Sequence, residues 1–233
     1  TERLGRVTRV SGMTVEASGI SAEIGAQCVI QIEGKNREIE AEVIGFDGQI
    51  IYLMPIHFLE GIKAGCSVRL RETESRCAVG EDLLGRVVDG LGNPIDGKGA
   101  INAEMEVSLD SEAINPLARG AISEVLDTGI RAINGCLTFG KGQRMGLIAG
   151  SGVGKSVLLG MLTRNTDADV VVIGLIGERG REVQDFVSQT LGDQGLAKSV
   201  VVAAPVDVSP VMRVKAAKLT HSIAEYFCNR GKN

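Results

Sequence analysis

One octapeptide indicates both an architecture and a chemistry for this chain, the run Ala149-Gly150-Ser151-Gly152-Val153-Gly154-Lys155-Ser156. Its small residues allow successive backbone N–H groups to turn inward around a phosphate, as in a phosphate-binding loop. The Lys155 ammonium adds positive charge for the β- and γ-phosphates of a nucleotide, and the Ser156 hydroxyl can bind Mg²⁺. Ala149 stands where this pattern has its first glycine, and it is small enough to be tolerated. We predict that residues 150–156 bind a nucleotide and that Lys155 also acts in catalysis.

The segments on either side of the loop favour the same interpretation. Residues 145–148 are predicted to form a buried strand before the loop, and residues 157–162 a helix after it. The motif requires this order of strand, loop and helix, and the positive end of the helix would face a bound anion. A glycine-rich turn followed by Lys-Ser also occurs in unrelated loops, so the octapeptide alone leaves that alternative open.

Alternating strands and helices follow the loop. Strands are predicted over residues 169–176 and 199–204, because both runs are apolar and rich in valine. The helix between them has one apolar face, formed by Val183, Phe186, Val187 and Leu191. A last helix begins at Ser209 and Pro210 and is ended by Gly231. Its apolar stripe consists of Met212, Ala216, Leu219, Ile223 and Phe227. This alternation predicts a parallel sheet covered by helices.

A second chemical signal lies in residues 177–182, at the end of the strand predicted over 169–176. Ligands of open α/β sheets bind at the carboxyl ends of strands, so the Glu178 carboxylate can face a γ-phosphate and orient the attacking water. A glutamate after a glycine is usually a solvated loop residue. We prefer the catalytic interpretation because the phosphate loop lies one predicted strand upstream in the same sheet. Arg179 and Glu182 either position Glu178 or pair with other charges.

The first seventy residues have a different sequence pattern. It predicts short strands over residues 6–10, 38–43, 49–54 and 67–70. The Asp47-Gly48 step indicates a hairpin, and the spacing of the strands favours a small β-barrel. We therefore predict an N-terminal β-barrel over residues 1–75 and a connecting segment over 76–120. An α/β nucleotide-binding domain is predicted over residues 121–233.

Composition excludes several classes of function. The chain has 25 basic and 29 acidic residues, a formal charge of −4, and no basic run, so it is not expected to bind nucleic acid or an anionic membrane. Its five cysteines contain no Cys-x-x-Cys pair, which argues against a disulfide framework and against a zinc site. No apolar run approaches the roughly 20 residues that span a bilayer, and we predict a cytoplasmic protein.

Four motifs in order give a resemblance over almost the whole chain. These are residues 84–97, 127–134, 150–156 and 177–182, with residues 140–145 leading into the phosphate loop. The order resembles that in the rotary-type ATPases, and the closest likeness is to the type III protein-export ATPases of the bacterial flagellum. The resemblance implies an N-terminal β-barrel, a RecA-like nucleotide-binding domain and a C-terminal helical domain.

The resemblance also implies an activity and partners. Such proteins form homohexamers with ATP bound between subunits, and they hydrolyse ATP to unfold and deliver export substrates and to release their chaperones. They lie at the cytoplasmic side of the export apparatus of the inner membrane. By this likeness Lys155 and Ser156 would hold the phosphates of ATP and Mg²⁺, and Glu178 would be the catalytic carboxylate.

By the same likeness, the second Mg²⁺ carboxylate, the arginine that reaches a neighbouring site and the adenine pocket would lie beyond Asn233. We therefore interpret the nucleotide-binding domain as incomplete at its C-terminal side, and we expect the isolated chain to be inactive.

Three alternatives stay open. The ATPase of a virulence injectisome is a near relative of the flagellar enzyme. A rotary-ATPase subunit that binds nucleotide without hydrolysing it is a second alternative, against which Glu178 argues. A hexameric RNA translocase of the same fold is a third, and the acidic balance and the 3% of aromatic residues argue against it.

Overall fold

The computed structural model describes residues 4–32, 37–57, 60–71, 76–110, 115–150 and 152–233. The chain divides into two compact units. The first contains Thr1–Arg76 and Val208–Lys215, and the second contains Cys77–Asp207 and Ala216–Asn233. The two units are therefore not two simple stretches of sequence, because the helix over 210–229 begins in the first and continues in the second.

The first unit is a closed barrel of six antiparallel strands in the order β1-β2-β5-β4-β3-β6. The strands are β1 (Leu4–Ser11), β2 (Thr14–Ser18), β3 (Gln27–Ile32), β4 (Arg37–Asp47), β5 (Ile50–Pro55) and β6 (Ser67–Leu70). The predicted barrel is confirmed, and each of the four predicted strands lies within or overlaps an observed one. The sequence pattern did not predict β2 and β3. Closure of the sheet pairs all six strands on both sides, which removes exposed edges.

The barrel core is made of apolar side chains, most of which lie at alternating positions of the strands. In β5 the burial alternates strictly, and Ile51 and Leu53 point inward. The remaining core members are Val7, Val15, Ala17, Ile20, Cys28, Ile30, Ile32, Ile39, Ala41, Val43, Cys66 and Val68. The predicted hairpin at Asp47-Gly48 joins β4 to β5, and Gly48 has a φ of +57°, which a glycine adopts without a Cβ penalty.

The first turns of the last helix, α5 (Pro210–Asn229), also belong to the barrel unit. The Ser209 hydroxyl accepts the Met212 N–H at 3.2 Å, which is the predicted N-terminal cap, and donates to the Ile56 carbonyl at 2.9 Å. The Lys215 ammonium is almost fully buried and lies 2.8 Å from the Glu42 carboxylate of β4. Removing one partner of such a buried ion pair leaves the other charge poorly solvated, so the pair fixes this end of the helix to the barrel.

The second unit begins with short strands, β7 (Arg76–Val79), β8 (Arg86–Val88), β9 (Met105–Ser108), β10 (Val125–Leu126) and β11 (Phe139–Gly140). A parallel sheet of three strands forms its centre, in the order β12-β13-β8, with β12 over Val171–Ile176 and β13 over Ser199–Ala204. All six residues of β13 are buried, as expected of a strand paired on both sides and covered on both faces. The predicted parallel sheet is confirmed, and β8 joins it from a segment that we predicted to be a connection.

Helices cover both faces of this sheet. The described helices, not all of which contact the sheet, are α1 (Arg131–Cys136), α2 (Lys155–Asn165), α3 (Gly180–Asp185), α4 (Gly192–Ala197) and α5 (Pro210–Asn229), and a π-helical segment, Phe186–Leu191, joins α3 to α4. On one face Phe186 and Leu191 pack against Leu175 and Val201 of the sheet. On the other, Gly174 of β12 approaches α5 closely, since a Cβ there would lie 2.9 Å from the Thr220 hydroxyl. The predicted stripe of α5 is buried, and Gly231 follows the helix with a φ of +76°.

One prediction about the sheet was wrong. Residues 145–148 form no strand, and Ile148 is 98% exposed, whereas the sequence predicted a buried strand. A strand requires a neighbour that satisfies its N–H and C=O groups, and no strand among the described residues pairs with this segment. Contrary to the prediction, the phosphate loop and Glu178 therefore do not follow two strands of one sheet in the described part of the chain.

Candidate nucleotide-binding site

The glycine-rich loop has backbone conformations that only glycine adopts easily. Gly152 and Gly154 have φ values of +78° and +95°, and a Cβ on either would meet nothing within 4 Å. The requirement at both positions is therefore conformational rather than steric. Gly150 and Val153 are exposed, and Ser151 lies outside the described residues, so its predicted contact stays a prediction.

Helix α2 starts directly after this loop, and Gly154 is the residue that precedes its first turn. Gly154 has no side chain that could cap the first N–H groups of the helix, and no capping hydrogen bond is made at this position in the described part of the chain. Those N–H groups and the positive end of the helix dipole are the donors that an anion can use. Lys155 and Ser156 are the first two helical residues, Lys155 half-buried and Ser156 exposed. The predicted helix is confirmed, and its start provides the donor set that a phosphate chain requires.

The start of α2 also offers an oxygen ligand for a magnesium ion, provided that the ion is bound mainly through phosphate oxygens. Mg²⁺ is usually held by one or two protein oxygens together with substrate phosphates and waters, and the exposed Ser156 hydroxyl offers one such oxygen. Among the described residues, no group of three or more His, Cys, Asp or Glu side chains could hold a metal by itself. A nucleotide would therefore have to supply most of the ligands.

Glu178 is held by its backbone while its side chain faces solvent. Gly177 follows β12 with a φ of +77°, and its N–H donates to the Ala204 carbonyl at 2.8 Å. The Glu178 carbonyl accepts the Val206 N–H at 2.9 Å, which ties this loop to the end of β13. The exposed carboxylate thus projects from the carboxyl ends of two parallel strands, the position at which α/β sheets bind ligands.

Arg179 and Glu182 pair with each other at 3.8 Å, and both side chains are largely exposed. An exposed pair of this kind contributes about 0–1 kcal/mol and is screened by salt. Of the two interpretations left open by the sequence, this geometry favours simple charge pairing over the positioning of Glu178.

Residues 84–97, to which the sequence assigned no role, contain β8 and the loop that follows it, and two aspartates brace this loop. Arg86 of β8 makes two hydrogen bonds to the Asp96 carboxylate, at 2.7 and 3.0 Å. The hydrogen bonds from Arg86 hold the pKa of Asp96 well below its usual range, against the opposing effect of burial, and the backbone N–H groups of Lys98 and Val87 add to the lowering. Asp89 accepts two further N–H groups at 2.9 Å, from Leu91 and Asn93. The motif is therefore a rigid support for β8 within the parallel sheet.

No helix in the described part of the chain is long and apolar enough to cross a membrane. The cysteines show no disulfide among the described residues, and Cys28, Cys66 and Cys77 are buried. Burial raises the pKa of the Cys28 thiol to about 11, so this thiol stays protonated and behaves as a small apolar group.

Comparison with known proteins identifies the class to which this fold and loop belong. The family model for the nucleotide-binding domain of the ATP synthase alpha/beta family matches residues 129–233. The model for the beta-barrel domain of the same family matches residues 7–71. The chain belongs to the ATP synthase alpha/beta family, as the four ordered motifs predicted.

Within that family, the relatives indicate one branch. The chain is 54% identical over 231 residues to the flagellum-specific ATP synthase of Pseudomonas aeruginosa, covering 98% of this chain and 51% of that protein. It is 50% identical over 240 residues to the protein of the same description from Salmonella typhimurium, covering 99% and 53%. The Bacillus subtilis counterpart is 44% identical over 233 residues, covering 100% and 53%. The chain thus spans about half the length of the curated relatives it matches.

Two solved structures share the fold. Both are described as the assembled ATPase EscN from the type III secretion system of enteropathogenic E. coli. One matches with a TM-score of 0.86 at 39% identity, covering 98% of this chain and 55% of the other. The second, in complex with its central stalk EscO, matches with a TM-score of 0.87 at 41% identity, covering 98% and 56%.

Proposed function

We propose that this chain is the barrel and nucleotide-binding part of an ATPase that hydrolyses ATP to drive type III protein export during flagellar assembly. The observation that carries the proposal is the uncapped start of α2 directly behind a glycine-rich loop, in a chain 54% identical to a flagellum-specific ATP synthase. The phosphate-loop residues 150–156 bind the triphosphate. Lys155 supplies the positive charge for the β- and γ-phosphates.

Magnesium is the proposed second cofactor, with Ser156 as its ligand from this chain. When bound, Mg²⁺ neutralises part of the charge on the phosphates. Around that ion, the proposed roles of the residues of this chain are to hold the phosphates and to orient the attacking water. Backbone N–H groups of the loop hold the phosphates, and Glu178 orients a water molecule by accepting a hydrogen bond from it.

The proposed setting follows from the relatives. The EscN structures are described as assembled, and we propose a homohexamer for the complete protein, located in the cytoplasm at the export apparatus of the inner membrane. Export-apparatus proteins, export substrates and chaperones are the proposed partners. The formal charge of −4 favours no nucleic acid among them.

The injectisome ATPases are the second candidate, because both EscN structures match the fold at TM-scores of 0.86 and 0.87. Sequence identity favours the flagellar branch, at 54% against 39% and 41%. Complementation decides between them. The complete protein is expected to restore motility to a bacterium that lacks its flagellar export ATPase, and secretion restored only in an injectisome mutant would favour the alternative.

Nucleotide binding is tested with Lys155→Ala in the complete protein. Loss of the ammonium is expected to weaken ATP binding by at least about tenfold and to abolish turnover, because Lys155 contacts the phosphates. Lys218→Ala is the matched control, since Lys218 pairs with Asp110 in another part of the unit. Equal ATP affinity of the Lys155→Ala variant and the parent would contradict the assignment of the loop.

The RNA translocase alternative is tested by adding RNA to the same assay. Turnover that depends on added RNA would favour the translocase alternative.

The role of Glu178 is tested separately from binding. Glu178→Gln keeps the size of the side chain and removes its negative charge, so ATP binding is expected to persist while turnover falls by about 10²-fold or more. Glu182→Gln is the control, because it removes a carboxylate from the same exposed loop and helix. If the parent binds ATP and releases no phosphate, the chain belongs to a subunit that does not hydrolyse nucleotide.

A further inference from the structure

A turn formed by Asp127, Thr128 and Gly129 is fixed by a single side-chain amide, that of Asn134 in α1. The amide nitrogen donates to Asp127 Oδ1 at 2.6 Å, and the same carboxylate oxygen accepts the Gly129 N–H at 2.7 Å. The amide oxygen accepts from both the N–H and the hydroxyl of Thr128, at 3.1 and 2.7 Å. Both ends of the amide are therefore used, and Thr128 is only 1% exposed within this closed turn.

This turn holds the far end of the phosphate-loop helix. The Asp127 carbonyl accepts the Thr166 hydroxyl at 3.0 Å and the Asp167 N–H at 3.0 Å, and Thr166 is the residue that directly follows α2. Gly129 lies against the last residue of the helix, since a Cβ there would be 2.8 Å from the Asn165 carbonyl carbon. The φ of Gly129 is +66°, so both the conformation and the close approach require glycine.

α2 is also held by packing against the π-helical segment and α4, and the Lys198 ammonium donates to the Thr166 carbonyl at 2.8 Å. Gly160 and Thr163 are its two buried residues, and Gly160 lies against Thr190 of the π-helical segment. A helix of 11 residues is about 16 Å long, and its internal hydrogen bonds hold its two ends in a fixed relation to each other. A displacement at the Thr166 end is therefore transmitted to the N–H groups at the Lys155 end.

We propose that Asp127 and Asn134 are positioning residues for the phosphate loop, acting through the turn that fixes the C-terminal end of α2. Neither residue belongs to the loop or to the first turn of α2, so each acts through the turn and not as a direct ligand of the phosphates. The inference rests on the proposed function, because it assigns these residues to the binding of ATP at residues 150–156. Small misplacements at a reacting centre are costly, as about 1 Å can reduce a rate about 10²-fold.

The test uses the complete protein and a charge swap. Asn134→Asp keeps the shape of the side chain but places a carboxylate beside that of Asp127, which removes the donor and adds repulsion. We expect KM for ATP to rise about tenfold. In the double variant with Asp127→Asn, one of the adjacent charges is gone and a donor is restored between the two side chains, so KM is expected to return to within about threefold of the parent.

KM separates positioning from a merely structural role. If Asn134 served stability alone, Asn134→Asp would lower the fraction of folded protein and hence the apparent kcat, while the surviving molecules would keep the parent KM. An unchanged KM, or a raised KM that the charge swap fails to reduce, would overturn the inference. Absence of Lys155-dependent ATP binding in the parent would instead refute the proposed function, and this inference with it.

A milder variant covers the case in which Asn134→Asp does not fold. Thr166→Val keeps the shape of the side chain but removes the hydroxyl that donates to the Asp127 carbonyl and accepts the Ala168 N–H at 3.4 Å, and we expect KM to rise about twofold to fivefold. Thr8→Val in β1 is the matched control, since its hydroxyl makes a comparable bond to the Glu16 carbonyl at 3.2 Å in the barrel unit. Equal KM values for Thr166→Val, Thr8→Val and the parent would also overturn the inference.

Discussion

Substitution of Gly160 by alanine is expected to destabilise the chain, although alanine is normally the better helix residue. In an exposed helix interior the change from glycine to alanine gains about 1 kcal/mol. At Gly160 a Cβ would overlap Cγ2 of Thr190 and lie 3.2 Å from the Thr190 carbonyl oxygen. Threonine is stiff about χ1, and the backbone oxygen cannot turn away, so α2 or the π-helical segment must shift.

The size of the effect follows from these two opposing contributions. Overpacking of a well-packed contact costs about 1–3 kcal/mol, and the gain in helix propensity offsets about 1 kcal/mol of it. Because the Cβ would meet both a stiff side chain and a backbone oxygen, we expect a cost of about 2–3 kcal/mol and hence a net loss of about 1–2 kcal/mol. Gly135→Ala in α1 is the matched control, because nothing lies within 4 Å of a Cβ at that position. That variant is expected to gain about 0.5–1 kcal/mol.

The assay is urea unfolding of the chain followed by far-UV circular dichroism, which reports on the helices of the second unit. The pair Gly160→Ala and Thr190→Ser removes the overlapping methyl group and is expected to recover most of the loss. A Gly160→Ala variant that is stabilised to the same extent as Gly135→Ala would refute the reasoning, since it would mean that no close contact exists between α2 and the π-helical segment.

Two further predictions concern the Arg86–Asp96 ion pair and ATP hydrolysis by residues 1–233 alone. Because the folded-state pKa of Asp96 lies below its unfolded value of about 3.9, the pair adds stability that is present above that value and is lost as pH falls through the folded pKa. Asp96→Asn is therefore expected to destabilise the chain at neutral pH, and the difference from the parent in thermal or urea unfolding should shrink below about pH 4. A difference independent of pH would exclude the carboxylate charge as its cause. Residues 1–233 alone are expected to release phosphate from ATP at background rates, measured against the Lys155→Ala chain as blank, and robust Lys155-dependent release would refute the interpretation of the domain as incomplete.

Local patterns predicted much of the architecture because their signals need only a few neighbouring residues. The stripe of α5, its cap at Ser209 and the glycine at 231 were each identified from the sequence, and each is present. The Asp47-Gly48 hairpin and the glycines of the phosphate loop depend only on backbone conformations of one or two residues.

The sequence patterns did not predict the strands that depend on pairing with distant parts of the chain. Three consecutive residues of β3, Cys28, Val29 and Ile30, are buried, which hides the alternation that marks a strand. β8 has only three residues, and its strand character comes from pairing with β13, more than a hundred positions away in sequence. Residues 145–148 have the composition of a buried strand but lie exposed, because composition does not provide a pairing partner.

The sequence by itself determined the class of site, since glycines, Lys155 and Ser156 at fixed spacing encode a backbone shape and a charge that need no distant residue. The relation of Glu178 to that site was not determined in this way, and its catalytic role stays a prediction. Only the tertiary structure decided what supports the loop. Asp127, Asn134 and Thr166 are hydrogen-bonded across up to 39 positions, and no period or motif encodes such a contact. Sequence patterns reflect the local conformation and burial of each residue, whereas its long-range contacts depend on how whole helices and strands pack.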